Sequence, residues 1–414
     1  MPLGELDFAV PLVMKNNIYC YILVLPILLR WIFLETWEIR LTVHIFGYPL
    51  FLPELLYFLL PLVCPKRRKI HKSLILLALI GIYYLMINCL LKVEPIETAV
   101  INFYGGSDLF LFLFIYSLYP LEPKHITIVR WPILLGWTCI CLEIFLFSTI
   151  LSYGGLEHYQ RFGEIVRIST TIGAATGSAI VVFILGVILY QSFIDKKIMS
   201  IAILAITSLS IAFTLSRGAL VAQVLFLFVV ILKNFMPISI KKILQTMLAV
   251  ILISFVIYLV NNRINLYSSM EERFAYGTES GDITSGREDR WKQTIHYVSQ
   301  NPIFGNGSSF LMPYERGRYL DVKSLNSISP HNSYLLCLVD YGLVGFGILF
   351  SVIIYIVILV PRDSYYSLLN LSLIINIIVL MNVEAVYYNA QYFVPFLFLF
   401  LFQDTMVKKV KISF

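Results

Sequence analysis

Apolar runs of about 20 residues recur along almost the whole chain, with short polar segments between them. A helix of about 20 apolar residues is long enough to cross a bilayer. Inside hydrocarbon each backbone amide must find its partner within the protein, which favours helices for these runs. The pattern predicts twelve transmembrane helices, at about 17–34, 41–63, 73–91, 107–120, 128–151, 172–191, 198–215, 218–233, 243–260, 334–360, 366–383 and 391–404.

One polar segment, residues 261–333, is much longer than the others. It holds equal numbers of basic and acidic residues, so its net charge is zero and does not oppose translocation across a membrane. We therefore divide the chain into helices one to nine over residues 1–260, this large loop, and helices ten to twelve with a tail over residues 334–414.

The large loop is expected to contain a short helix at 286–300. Trp291, Ile295 and Val298 recur there at helical spacing, which predicts that this apolar stripe docks on the membrane domain or the interface. The segment from Ser285 to Glu288 has the spacing of a capping box, and Asn301-Pro302 ends the helix. A surface helix without a role would show the same features.

Basic residues give the predicted helices an orientation. They concentrate in alternate short loops, at 65–72, 124–130, 196–197, 233–242 and Arg362, and in the tail at 408–411. Loops rich in Lys and Arg stay in the cytoplasm. The even number of helices then puts both termini in the cytoplasm and the large loop on the periplasmic side of a bacterial inner membrane.

Composition agrees with a membrane protein. The 414 residues are 59% hydrophobic and 14% charged, with a mean hydropathy of +0.82, whereas soluble domains carry about 25% charged residues. The net charge of +6 comes from the short loops, so nucleic acid is not an expected partner. The six cysteines show no metal-site or disulfide spacing. The expected fold class is an all-α integral membrane protein.

Three side chains converge on the periplasmic face in this topology: Arg217, Arg287 and His331. Arg217 lies in the tight turn between helices seven and eight, Arg287 opens the loop helix, and His331 precedes helix ten. Each has a simpler explanation. Arg217 could snorkel to the interface, Arg287 could form a surface ion pair, and His331 could be a loop histidine with ordinary partners.

A second group of polar residues could contact the substrate. Glu143 lies inside the fifth predicted helix, where a carboxylate is a functional candidate or a hydrogen-bonded packing residue. The remaining candidates lie in predicted periplasmic segments, where they could bind the substrate or belong to a solvated loop or an interfacial belt: Arg161, Arg167, Arg290, Asn332 and Glu384.

In several segments the sequence resembles the O-antigen ligase and polymerase superfamily, which includes Wzy-type polymerases and WaaL-type ligases. The similar segments are Ser-Arg-Gly-Ala at 216–219, Gly-Arg…Trp at 286–291, Asn-Pro-Ile-Phe-Gly-Asn-Gly at 301–307, His-Asn-Ser-Tyr-Leu…Tyr-Gly-Leu-Val-Gly at 331–345, and residues 161–178 before the sixth helix. The resemblance implies a GT-C-like membrane glycosyltransferase with about twelve helices and one large periplasmic loop that contains short helices.

The resemblance also implies an activity. A glycan would pass from undecaprenyl diphosphate to a sugar hydroxyl of a lipid-linked glycan or a lipid A core, without a metal, nucleotide sugar or cofactor. Membrane lipid and a chain-length regulator are the other implied partners. Arg217 and Arg287 match the family's diphosphate-binding arginines, and His331 matches its essential histidine.

Elementary chemistry agrees with these roles. A guanidinium group binds phosphate oxygens bidentately and stays charged, so two of them could stabilise a diphosphate leaving group in place of a metal. A histidine titrates near neutral pH and suits the removal of a proton from the attacking hydroxyl. Attack opposite the leaving group would invert the anomeric centre.

Three alternatives stay open. Polymerase and ligase differ in the acceptor, and the intact His-Asn-Ser-Tyr-Leu and Gly-Arg pattern favours the polymerase. A lipid-linked oligosaccharide flippase is a second class, although such transporters place polar sites near the membrane midplane, where this sequence has little charge. A structural membrane scaffold is the third.

Overall fold

The fold is known from a computed structural model. It describes residues 18–26, 29, 42–45, 48–63, 72–92, 96–119, 126–149, 159–162, 165–168, 175–214, 216–235, 287–307, 310, 314–315, 318–319, 330–359 and 365–382.

The described part of the chain is mainly α-helical. In chain order its elements are α1 (18–26), β1 (Thr42–Ile45), β2 (Tyr48–Phe51), a 3-10 helix (Leu52–Leu59), α2 (Leu60–Val63), α3 (Lys72–Lys92), α4 (Ile96–Leu118), α5 (Ile126–Thr149), β3 (Tyr159–Phe162), β4 (Ile165–Ile168), α6 (Ala175–Ser192), α7 (Lys197–Phe213), α8 (Arg217–Phe235), α9 (Arg287–Gln300), β5 (Tyr314–Glu315), β6 (Arg318–Tyr319), α10 (Ser333–Leu359) and α11 (Tyr365–Leu380). The strands form three short antiparallel hairpins.

Within this described part, three helical segments have the length and apolar character of a membrane span: Lys72–Lys92, Ile128–Leu146 and Ser333–Tyr355. The described part also contains shorter apolar helices, among them Lys197–Phe213 and Arg217–Ile231. The chain is therefore a helical protein with membrane-spanning segments. The full set of twelve spans stays a prediction, and the predicted helices at 243–260 and 391–404 lie outside the described residues.

Helix α6 is the centre of the bundle. Its residues 177–191 are all buried, and the helix packs against α5, α7, α8 and α11. A helix that is apolar on every side must be surrounded by other helices rather than by water. Gly186 lets α7 approach closely, because a Cβ atom there would meet the side chain of Thr207.

The predicted helix at 41–63 is partly wrong. Residues 42–51 form the β1–β2 hairpin, in which Thr42 faces Phe51 and Ile45 faces Tyr48. The strand residues Thr42, Val43 and Ile45 are β-branched, which favours a strand. A proline at position 49 also disfavours a helix interior.

The predicted helix at 107–120 begins much earlier than expected. Helix α4 starts at Ile96, so residues 96–106 of the predicted loop 92–106 are helical. Gly105 and Gly106 lie inside the helix. Helix α4 packs extensively along α3, and tertiary packing of this kind outweighs the low helix propensity of two glycines.

Candidate functional site

Arg217 is the first residue of α8. The preceding turn is tightly packed: Thr214 and Ser216 are buried, and the Thr214 hydroxyl donates to the Ile211 carbonyl at 2.7 Å. One turn into α8, Ala219 is fully buried. Arg217 itself is partly exposed.

The loop helix exists where the sequence predicts it, as α9 from Arg287 to Gln300. Its protected face carries Arg287, Trp291, Thr294 and Val298, and Thr294 is only 1% exposed. The predicted stripe was wrong in one position, because Ile295 is 56% exposed. Ile295 follows Thr294 directly and so lies roughly 100° around the helix from the centre of the protected face. The capping residue Ser285 lies outside the described residues.

The opposite face of α9 is a solvated surface. Lys292 forms an exposed ion pair with Glu288 at 2.9 Å. The hydrogen bond from Lys292 to Glu288 raises the pKa of the lysine. Exposed pairs of this kind contribute little to stability, so the chemistry of α9 belongs to its protected face.

Trp291 joins α9 to the segment that carries His331. Its indole Nε1–H donates to the carbonyl of Pro330 at 2.8 Å, directly before the histidine in the chain. Arg287 lies one helical turn before Trp291, and residues four apart share a helix face. The structure therefore brings the helix face of Arg287 and the backbone beside His331 together.

His331 has a left-handed backbone with φ of 46°. This conformation costs a residue with a Cβ atom on the order of 1 kcal/mol. It is stabilised on both sides, since Trp291 binds Pro330 before it and Ser333 donates its backbone N–H to the Met381 carbonyl at 2.7 Å after it. His331 is partly exposed.

Asn332 caps α10. Its side-chain Oδ1 accepts the backbone N–H groups of Tyr334 and Leu335, each at 3.0 Å, and the residue is 7% exposed. This gives Asn332 a structural role, since it satisfies backbone groups that a helix end leaves unpaired. Substrate binding by Asn332 stays a prediction.

The segment 301–307 is a turn that docks on a break in α10. At Gly342 the helix is interrupted, with φ 63° and ψ −165°. The backbone N–H groups of Asn306 and Gly307 donate to the carbonyls of Val339 and Asp340 at 2.8 and 3.0 Å. On the other side of the break, Leu343 donates to the Pro302 carbonyl at 2.9 Å. The two glycine-bearing motifs are thus the two halves of one joint.

Contact at this joint explains two of its glycines. A Cβ atom on Gly305 would lie 2.3 Å from the Asp340 carbonyl oxygen, and one on Gly342 would lie 2.4 Å from the Ile303 carbonyl oxygen. Both glycines have positive φ. The buried Asp340 adds a further link, since its Oδ1 accepts the Phe310 backbone N–H at 3.1 Å. Of the glycines in α10, Gly342 therefore serves this joint.

Sequence reasoning missed three polar residues of α3 that bind the same joint. The Tyr84 hydroxyl donates to the Tyr341 carbonyl at 2.6 Å, Asn88 Nδ2 donates to the Phe304 carbonyl at 2.9 Å, and Lys92 Nζ donates to the Gly305 carbonyl. The three are four residues apart and share one helix face. Polar residues at this spacing in an apolar helix were the available signal.

The structure describes the position of four of the five remaining candidates. Glu143 is partly exposed on α5, and Arg290 is partly exposed on α9. Arg161 and Arg167 lie on the β3–β4 hairpin, where Arg161 faces Val166 and Arg167 faces Gln160. Glu384 lies outside the described residues. Their roles as substrate contacts stay predictions.

Each of the three principal candidates lies at or just before the N-terminus of a helix. Arg217 and Arg287 are the first residues of α8 and α9, and His331 precedes the first residue of α10 by two. The N-terminus of a helix carries a partial positive charge of about half an elementary charge, which favours a bound anion. Helix α8 packs against α11, and Met381, just beyond the end of α11, accepts the Ser333 N–H. A chain of contacts thus runs from α8 to the His331 segment.

Among the residues that the structure describes, no group of three potential metal-ligating side chains comes together. Arginine side chains and helix N-termini are groups that favour a bound anion, and a histidine can accept a proton. That Arg217, Arg287 and His331 share one site stays a prediction.

Residues 201–350 match the family model described as O-Antigen ligase. The matched region includes Arg217, Arg287, His331 and both halves of the glycine joint. This match confirms the resemblance of the chain to the O-antigen ligase and polymerase superfamily. The match supports a glycosyltransferase-like or ligase activity in surface-polysaccharide biosynthesis at a membrane.

A second comparison is with an uncharacterized protein of Haemophilus influenzae. It is 28% identical over 151 residues, which make up 32% of this chain and 34% of the relative. The chain thus matches about a third of the length of this curated relative.

Proposed function

We propose that this protein is a surface-polysaccharide polymerase of the O-antigen type. It transfers a glycan from undecaprenyl diphosphate to a sugar hydroxyl of a second lipid-linked repeat unit. The proposal includes the inner membrane as its location, the periplasmic face as the side of the reaction, and a chain-length regulator as a partner.

The observation that carries the proposal is the shared position of Arg217, Arg287 and His331 at helix N-termini within the matched family domain. Guanidinium groups and helix N-termini both favour a dianionic or trianionic ligand. A lipid diphosphate is such a ligand, and its polyprenyl tail requires a protein in the membrane. The three helices with the character of membrane spans satisfy that requirement.

In the proposed reaction, Arg217 and Arg287 bind the diphosphate oxygens. The acceptor hydroxyl attacks the anomeric carbon as the bond to the diphosphate breaks, and its proton passes to the His331 imidazole. The products are the lengthened glycan, with inverted configuration at the new bond, and undecaprenyl diphosphate. Charge that develops on the leaving group is stabilised by the two guanidinium groups, an effect worth several kcal/mol (about 3–4 for one well-placed donor).

One contact of α3 agrees with the proposal that its C-terminal end and the large loop lie on one side of the membrane. Lys92, at the C-terminal end of α3, binds the turn at Gly305. The topology puts the segment after α3 and the large loop on the same side of the membrane, and this contact agrees with that arrangement. Labelling of a single cysteine introduced at Lys292, with a reagent that does not cross the inner membrane, tests the side directly: cytosolic protection would overturn it.

The test of function uses purified protein with a labelled lipid-linked repeat unit. Arg217→Ala, Arg287→Ala and His331→Ala are each expected to lower the rate at least 100-fold, on the scale of removing one charge-stabilising or acid–base group. Lys292→Ala is the matched control, since this lysine is exposed on the opposite face of α9, and it is expected to keep the normal rate. Near-normal turnover in any of the first three variants removes that residue from the mechanism.

Ligase activity is the second candidate, because the matched family is described as O-Antigen ligase. The two activities differ only in the acceptor. Incubation of labelled donor with both a lipid-linked repeat unit and a lipid A core separates them. A ladder of products supports the polymerase, and a single transfer to the core establishes the ligase.

A further inference from the structure

The hydrogen bond from Trp291 to Pro330 links two parts of the candidate site. It spans 39 positions of sequence and connects the helix of Arg287 to the residue next to His331. Its donor is a rigid indole ring, and its acceptor is the carbonyl of the peptide unit that leads into His331. A rotation of that peptide would change the φ of His331 directly.

His331 needs such a restraint. Its φ of 46° lies in a region that residues with a Cβ atom adopt only when their surroundings fix them. On the following side, Asn332 and the Ser333–Met381 hydrogen bond fix the start of α10. On the preceding side, Trp291 holds the carbonyl of the buried Pro330. The hydrogen bond from Trp291 therefore fixes the backbone orientation of His331 relative to α9.

We propose that Trp291 is a positioning residue that orients the His331 imidazole toward the diphosphate site. This inference rests on the proposed function. Trp291 acts through the backbone of Pro330 and need not touch the substrate. Arg287 and Trp291 lie on the same face of α9. This one helix would therefore carry both Arg287, which binds the diphosphate leaving group, and Trp291, which orients the His331 imidazole.

The critical variant is Trp291→Phe, which keeps an aromatic ring and removes the indole N–H. Misplacement of a catalytic group by about 1 Å can cost about 100-fold in rate. We expect kcat to fall roughly 10- to 100-fold, with the KM for the lipid-linked donor changed by less than about threefold, because diphosphate binding by the arginines remains. Trp291→His, which retains a ring N–H, is expected to recover part of the rate.

Trp137→Phe is the matched control. Trp137 is 3% exposed, and its indole nitrogen has no hydrogen-bond partner among the described residues. The same substitution there removes the same atoms from a buried ring without removing a hydrogen bond. Trp137→Phe is expected to keep kcat within about twofold of the wild type, and its thermal midpoint in detergent provides the reference for Trp291→Phe.

A double variant distinguishes positioning from general damage. If Trp291 acts through His331, then Trp291→Phe should have almost no further effect on the residual rate of His331→Ala. In the Arg287→Ala background it should still lower the rate. A full additional loss in the His331→Ala background, or a normal kcat in Trp291→Phe alone, would overturn the inference.

The test separates this inference from the proposed function. Normal transfer by His331→Ala refutes the role of the histidine, and the inference fails with it. Loss of transfer in His331→Ala together with normal transfer in Trp291→Phe refutes only the role of Trp291. If Trp291→Phe is too unstable to assay, the partial recovery by Trp291→His decides the case: a rate equal to that of folded His331→Ala is a failure, and a rate well above it is support.

Discussion

Substitution of Gly342 by alanine should separate the turn at 301–307 from α10. The backbone of Gly342, with φ 63° and ψ −165°, lies in a region that is essentially restricted to glycine. An alanine Cβ atom would lie 2.4 Å from the Ile303 carbonyl oxygen and 2.5 Å from the Gly305 backbone nitrogen. Both are backbone atoms, so no side-chain rotation relieves the contact.

The cost has two parts. An unfavourable backbone conformation of this kind costs on the order of 1–3 kcal/mol. If the turn moves away, the hydrogen bonds from Leu343 to Pro302 at 2.9 Å and from Val344 to Ile303 at 3.1 Å are lost, each worth about 1 kcal/mol. We expect Gly342→Ala to lower the free energy of unfolding by about 3–5 kcal/mol, as the sum of these two parts.

Gly347 provides a control on the same helix. A Cβ atom there meets nothing within 4 Å, and alanine is favoured over glycine inside a helix by up to about 1 kcal/mol. Gly347→Ala should therefore leave stability unchanged or raise it slightly.

The measurement is reversible unfolding in mixed detergent micelles with increasing SDS, followed by circular dichroism. Hydrogen exchange at residues 301–307 reports on the joint itself and should accelerate in Gly342→Ala only. Equal unfolding midpoints for the two variants would refute the reasoning, since only Gly342 meets backbone atoms.

Two further variants test local contacts in the same assay. Asn332→Ala removes the cap of α10 and should cost about 1 kcal/mol, whereas Asn332→Asp keeps an oxygen acceptor and should cost less; an equal loss in both would contradict the capping role. Asn88→Leu removes the donor to the Phe304 carbonyl and should cost about 1–3 kcal/mol, because a partly buried acceptor loses its partner. Leu91→Val, at a side chain that is 78% exposed, is its control, and a comparable loss there would contradict the assignment.

The sequence determined the helices that depend on local pattern. The apolar runs predicted α3, α5, α6, α7, α8, α10 and α11 to within a few residues of their observed ends. The spacing of Trp291 and Val298 and the breaker Asn301-Pro302 predicted the loop helix. These features rest on length, hydrophobicity and turn chemistry, which are properties of neighbouring residues and can be read without knowledge of the fold.

Elements in which local preference and packing disagree were predicted less well. Residues 42–51 are apolar enough for a helix, but their β-branched residues and Pro49 favour the hairpin that forms. The predicted loop 92–106 includes Gly105 and Gly106, which have low helix propensity, but packing of α4 along α3 keeps them helical. The sequence could not show which preference prevails, because the deciding contacts come from another segment.

In the candidate site, too, some features could be predicted from the sequence and others required the structure. Arg217, Arg287 and His331 could be singled out from the sequence, because residue type and motif indicate their chemistry. Only the tertiary structure showed that Trp291 holds the peptide before His331. Only the structure, likewise, joined the turn at 301–307 to the break at Gly342. Each of these contacts links backbone groups to partners more than 30 residues away, and no local pattern encodes which distant carbonyl will be left unpaired to accept them.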